Sequence, residues 1–132
     1  MCTAISYKTS DHYFGRNLDL EYHYDETVVI TPRKFPLNFR CMKSVMEHYA
    51  FIGMATVDNG YPLYYDATNE YGLSMAGLNF PYWAVYQPEQ ESKDNIAPFE
   101  VISWILCQCK TVAEGRKLLE NINIANIPSQ SR

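Results

Sequence analysis

A chain of 132 residues with 47% hydrophobic side chains suits one folded domain, or part of a larger one, and is too apolar for disorder. Its net charge of -4 argues against a nucleic-acid partner, and the basic pairs Arg33 with Lys34 and Arg40 with Lys43 read as solvated loop charges. The longest apolar run, Val101 to Cys107, is broken by Ser103 and far too short to cross a bilayer.

The N-terminus, MCTAISYK, has neither the basic start nor the long apolar stretch of a secretory signal. A cytoplasmic protein is therefore expected, with its cysteines at 2, 41, 107 and 109 as free thiols. Cys2 to Lys8 alternates small or apolar with polar residues and reads as a strand. After a turn at Ser10-Asp11, His12 to Leu20 is its antiparallel partner. Thr27 to Thr31 (TVVIT) is a β-branched strand ended by Pro32, and 32–47 reads as a long loop. Tyr49 to Val57 and Leu63 to Thr68 are strands joined by Asp58-Asn59-Gly60, a strong hairpin signal. Asn69 to Gly72 turns again, into a strand over Leu73 to Leu78.

A proline- and charge-rich loop over 81–95 follows. Ile96, Phe99, Ile102, Leu106 and Cys109 then recur at helical spacing, with Pro98 tolerated in the first turn. Thr111-Val112-Ala113-Glu114 is a capping box, opening a second helix that carries Leu118, Leu119 and Ile122. Strands first and a helix pair after them make an α+β chain without an internal boundary.

Two features carry chemistry. Removal of Met1 would leave Cys2 with both a thiol and a free α-amine, which titrate near ~8.5 and ~8 in model compounds. The amine can then serve as base toward its own side chain, as in hydrolases with a terminal nucleophile. The second feature is Gly15-Arg16-Asn17-Leu18-Asp19. A guanidinium beside a thiol favours thiolate, and a carboxylate beside an ammonium holds it in place. Positions three apart on a regular strand face opposite sides, so Arg16 and Asp19 share a site only if the strand bends; otherwise they are a surface pair.

The strings MCTAISY, DHYFGRNLDLEY, YYDATNEYGLSMAGLNFP and NIAPFEVISWILCQC together closely resemble the choloylglycine hydrolases, over residues 1 to about 127. The resemblance implies part of an αββα sandwich of the N-terminal-nucleophile class, with residues 1–132 as the N-terminal portion of one domain. It implies catalytic roles for Cys2 as nucleophile, for Arg16 and Asp19, and for Asn79 as an oxyanion donor. Fixed donors aimed at developing charge are usually the largest catalytic contribution. The expected reaction is cleavage of glycine- or taurine-conjugated bile salts without metal or cofactor, in a full-length form that is a homo-oligomer.

Leu20, Tyr24, Phe80 and Tyr82 are expected to line an apolar groove for the steroid face. Penicillin V acylases, the sister branch, tend to carry tyrosine where Asn79 stands, so the asparagine points to the bile salt branch. A non-catalytic gene product is the other alternative. Family members are more than twice this length, and their further site asparagine and arginine lie beyond it. The closing SQSR departs from the family, and the chain reads as one cut short. Cys107-x-Cys109 lacks two further ligands at zinc spacing and reads as packing. His12, His23 and His48 show no ligand spacing, and Gly72 and Gly77 form no phosphate loop.

Overall fold

The computed structural model describes residues 2–80 and 82–128. Strands β1 (Thr3–Lys8) and β2 (His12–Asn17) form an antiparallel hairpin in register from Thr3 opposite Asn17 to Lys8 opposite His12. A second sheet is an antiparallel meander of β3 (Thr27–Thr31), β4 (Phe51–Asp58), β5 (Tyr61–Asn69) and β6 (Ser74–Ala76). Asn59 and Gly60 both take positive φ, 48° and 79°, as a tight two-residue hairpin loop requires.

Pairing between β4 and β5 slips at Met54/Ala55, where Tyr65 falls outside the register. The slip lets the meander bend where it approaches the hairpin. Gly53 lies at this junction. A Cβ there would come within 1.9 Å of the Asp66 carbonyl oxygen, so β4 and β5 approach as they do only because residue 53 is glycine.

One face of the meander is the core. Phe51, Ala55, Tyr64 and Ala67 pack with Ile102, Ile105 and Leu106 of helix α1 (Val101–Leu106). The opposite face carries Val28, Ile30 and Ile52 at 63%, 67% and 46% exposure, an apolar surface with little over it. Segment 32–47 does more than loop: Leu37 pairs with Val45, and Leu37 and Phe39 enter the core. Its two arginines are engaged as well, though Arg33 stays largely exposed. Arg33 forks onto the Glu70 carboxylate, which also accepts the Ala50 N–H at 2.9 Å, and the Arg40 guanidinium lies 5.5 Å from the Phe99 ring centre.

The later half differs most from the expected helix pair. Residues Asp94–Ile96 form β7, which runs parallel to β8 (Ile122–Ile124). Helix begins only at Pro98, as a 3-10 turn over Pro98–Glu100 leading into α1. Proline disfavours helix in the residue before it, so Ala97 is extended (φ -70°, ψ 144°) and Ile96, one residue earlier, pairs as a strand. Helix α2 (Val112–Leu119) has Thr111 as its cap, Oγ1 accepting the Glu114 N–H at 3.2 Å, while the Glu114 carboxylate accepts the N–H of Lys110, one residue before the cap, rather than that of Thr111 itself. Ile122, read as the last apolar residue of that helix, belongs to β8 instead. The element order is α+β.

Candidate active site

The site begins from hairpin register. Residues opposite one another in β1 and β2 share a face, so extending the pairing puts Cys2 opposite Leu18 and makes Arg16 its diagonal neighbour on that face. The Asn17 side chain fixes the open end by accepting the Thr3 N–H at 2.5 Å. Regular strand stops at Asn17, and the chain turns so that the Asp19 peptide comes alongside Cys2, with its carbonyl oxygen 3.8 Å from Sγ. The strand thus brings the Arg16 side chain, and the turn beyond it the Asp19 backbone, to the same thiol.

Arg16 is no surface residue. Its side chain is 6% exposed and reaches from the hairpin to the second sheet, where Nη2 donates to the Gly77 carbonyl at 2.5 Å. Nη1 lies 3.6 Å from the carboxylate of Asp66 on β5. The chain leaving β6 through Gly77 then brings Asn79 back over Cys2.

Backbone hydrogen bonding at Asp19 is the main cause holding the Cys2 thiol below its ordinary value. The Asn79 backbone and the Arg16 charge add to it, against a smaller opposing effect of burial. A low-lying, partly exposed thiol beside a cation is the setting of a reactive cysteine.

Cys2 opens into a cleft of about 630 Å³. Leu20, Tyr24, Phe80 and Asn79 line it, together with Leu18, Leu63 and Met75. Tyr82 does not: its side chain is fully exposed, outside the cleft. At one end the cleft is polar, where the Thr56 hydroxyl lies 3.0 Å from that of Tyr65 and donates to the Tyr24 carbonyl at 2.8 Å. Cys2 and Arg16 add polar atoms of their own to an otherwise apolar wall, an arrangement suited to a ligand with a bulky apolar body and a polar group.

Sequence reasoning passed over Asp66, Gly77, Thr56 and Tyr65. All but Thr56 lie in the string YYDATNEYGLSMAGLNFP, whose strand pattern hides the bulge that turns Tyr65 toward the cleft. Met1 and the closing SQSR lie outside the described residues. Among the described residues no cluster of His, Cys, Asp and Glu is arranged to hold a metal, and no helix is long and apolar enough to cross a membrane.

Residues 2–131 match the profile of the linear amide C–N hydrolases, choloylglycine hydrolase family. A bile salt hydrolase/transferase of Lactiplantibacillus plantarum is 50% identical over 127 residues, covering 96% of this chain and 39% of the relative. The Clostridium perfringens bile salt hydrolase/transferase is 39% identical, over 97% of this chain and 40% of its own. A crystal structure of a C2A mutant of the conjugated bile acid hydrolase from Clostridium perfringens superposes with a TM-score of 0.88 at 39% identity, covering 97% of this chain and 40% of that one. The chain thus spans about two fifths of the length of the relatives it matches.

Proposed function

Because the chain belongs to the choloylglycine hydrolase family of linear amide C–N hydrolases, we propose that it carries the nucleophile of an amidase acting on glycine- and taurine-conjugated bile salts. Residues 1–132 are then a portion of one domain. The observation that carries this reading is the placement of the Cys2 thiol at the mouth of a largely apolar cleft, between the Asp19 and Asn79 backbones and near Arg16.

With Met1 removed, the α-amine of Cys2 takes the thiol proton and the thiolate attacks the amide carbonyl. The Asn79 amide donates to the resulting oxyanion, and Arg16 and Asp19 hold the thiolate and the ammonium. Collapse breaks the C–N bond, the leaving amine takes the proton from the α-ammonium, and a thioester remains on Cys2. Water, deprotonated by the same amine, adds to the thioester; free bile acid leaves and the thiol is restored. Leu20, Tyr24 and Phe80 would hold the steroid face, and Tyr82 could reach it only if its segment moved. A cytoplasmic location and self-association of the full-length form belong to the same reading.

The test is amino-acid release from glycine- and taurine-conjugated cholate by the purified chain, with Cys2→Ala as control. Expected is release that is absent or about 10²-fold or more below the rate of a full-length relative, and that Cys2→Ala abolishes where it is seen. One missing oxyanion donor alone costs about 10²–10³-fold. Release that survives Cys2→Ala would overturn the assignment.

A further inference from the structure

Arg16 supplies the positive charge of the site, yet its own side chain is poorly held. Nη2 has the Gly77 carbonyl, whereas Nε and Nη1 are buried without a hydrogen-bond partner. The Asp66 carboxylate at 3.6 Å from Nη1 is at ion-pair range, longer than a good hydrogen bond. Asp66 sits on β5 opposite Met54 and Ala76, so its side chain shares the sheet face of Val28, Ile30 and Ile52. A half-buried carboxylate on such an apolar face is costly unless a cation compensates it. One of its oxygens accepts weakly from the Met54 N–H at 3.4 Å, while the other faces Arg16.

We propose that Asp66 is a positioning residue for the amidase, drawing the Arg16 guanidinium across from the hairpin to the meander so that its charge stays beside Cys2. This rests on the functional reading above. Asp66 makes no contact with Cys2; it acts through Arg16. Arg16 is among the groups that lower the Cys2 thiol and Asp66 is not among those that raise it, in keeping with an indirect role.

The sign of the effect separates this role from simple charge. A carboxylate acting only through space would oppose the thiolate, so neutralising it would ease Cys2 ionisation. If Asp66 holds Arg16 in place, neutralising it releases the cation and makes ionisation harder. The experiment follows iodoacetamide labelling of the Cys2 peptide against pH, by mass spectrometry, in the 132-residue chain and its Asp66→Asn, Asp66→Glu and Arg16→Met variants.

Asp66→Asn is expected to move the labelling midpoint upward and to slow labelling at neutral pH by about 3- to 10-fold, equal to roughly half to one pH unit. Asp66→Glu should recover most of the loss. Asp66→Asn added to Arg16→Met should change nothing further. An unchanged or lowered midpoint in Asp66→Asn would overturn the proposal. So would loss of the native circular-dichroism spectrum in both Asp66 variants, since that makes the residue structural. Labelling needs no turnover, so absence of amide hydrolysis leaves this result to be judged by itself.

Discussion

Cys2 and Cys107 lie at opposite ends of the range open to a thiol in this chain. Backbone hydrogen bonding at Asp19 and Asn79 together with Arg16 lowers the first, whereas burial and then the neighbouring Cys109 push the second to about 12. Cys109 is raised by burial and by Glu114, and Cys41 by partial burial and the carboxylates of Glu89 and Glu100. Thiolate is the reactive form, so Cys2 should label first with limited iodoacetamide at neutral pH, about tenfold or more faster than the others. Its rate should fall as the pH drops through the lowered value, while the other three gain rate only at higher pH. Peptide mapping checks this, and preferential labelling of Cys41 would count against the site. At this scale motif strings named Cys2, Arg16, Asp19 and Asn79, which the fold brings together around one thiol. Asp66 was not singled out, because a carboxylate in a strand pattern carries no mark of the cation it will meet.

Gly53 shows how an element depends on one missing atom. Its Cβ would collide with main chain, the Asp66 carbonyl and the Ala67 Cα, which cannot swing aside as a flexible side chain could. Gly53→Ala should therefore cost about 1–3 kcal/mol and lower the melting temperature by several degrees. Because β4 pairs Gly53 with Ala67 beside Asp66, the same change should raise the Cys2 labelling midpoint. A Gly53→Ala chain that melts with the parent and labels identically would show that the close approach is unimportant.

Elements set by local chemistry were readable. Asn59-Gly60 made its hairpin, TVVIT its strand, and Thr111 with Glu114 its cap. Strand β7 was missed because its partner lies near the far end of the chain, and nothing local announces a parallel pairing of Asp94 with Ile122. Ile122 was misread for the same reason: apolar spacing at a helix end cannot tell a last turn from the first residue of a strand.

Taken whole, the molecule draws its cleft from the N-terminus, the ends of two hairpins and the helix layer, and only the folded chain brings them together. The α+β order followed from the run of turn signals, but the convergence did not, since it depends on the β2 end, the β5 bulge and the return after β6 acting jointly. A face bearing Val28, Ile30 and Ile52 stays open to solvent, in a chain spanning about two fifths of its relatives' length. The central claim is that Cys2 is the nucleophile of a cleft that takes conjugated bile salts. Its most direct measurement is protection of Cys2 from iodoacetamide by saturating glycine-conjugated cholate, with Cys41 as internal reference. The account predicts that the conjugate slows labelling of Cys2 in proportion to occupancy and leaves Cys41 unchanged. Equal labelling of Cys2 with and without the conjugate would contradict it.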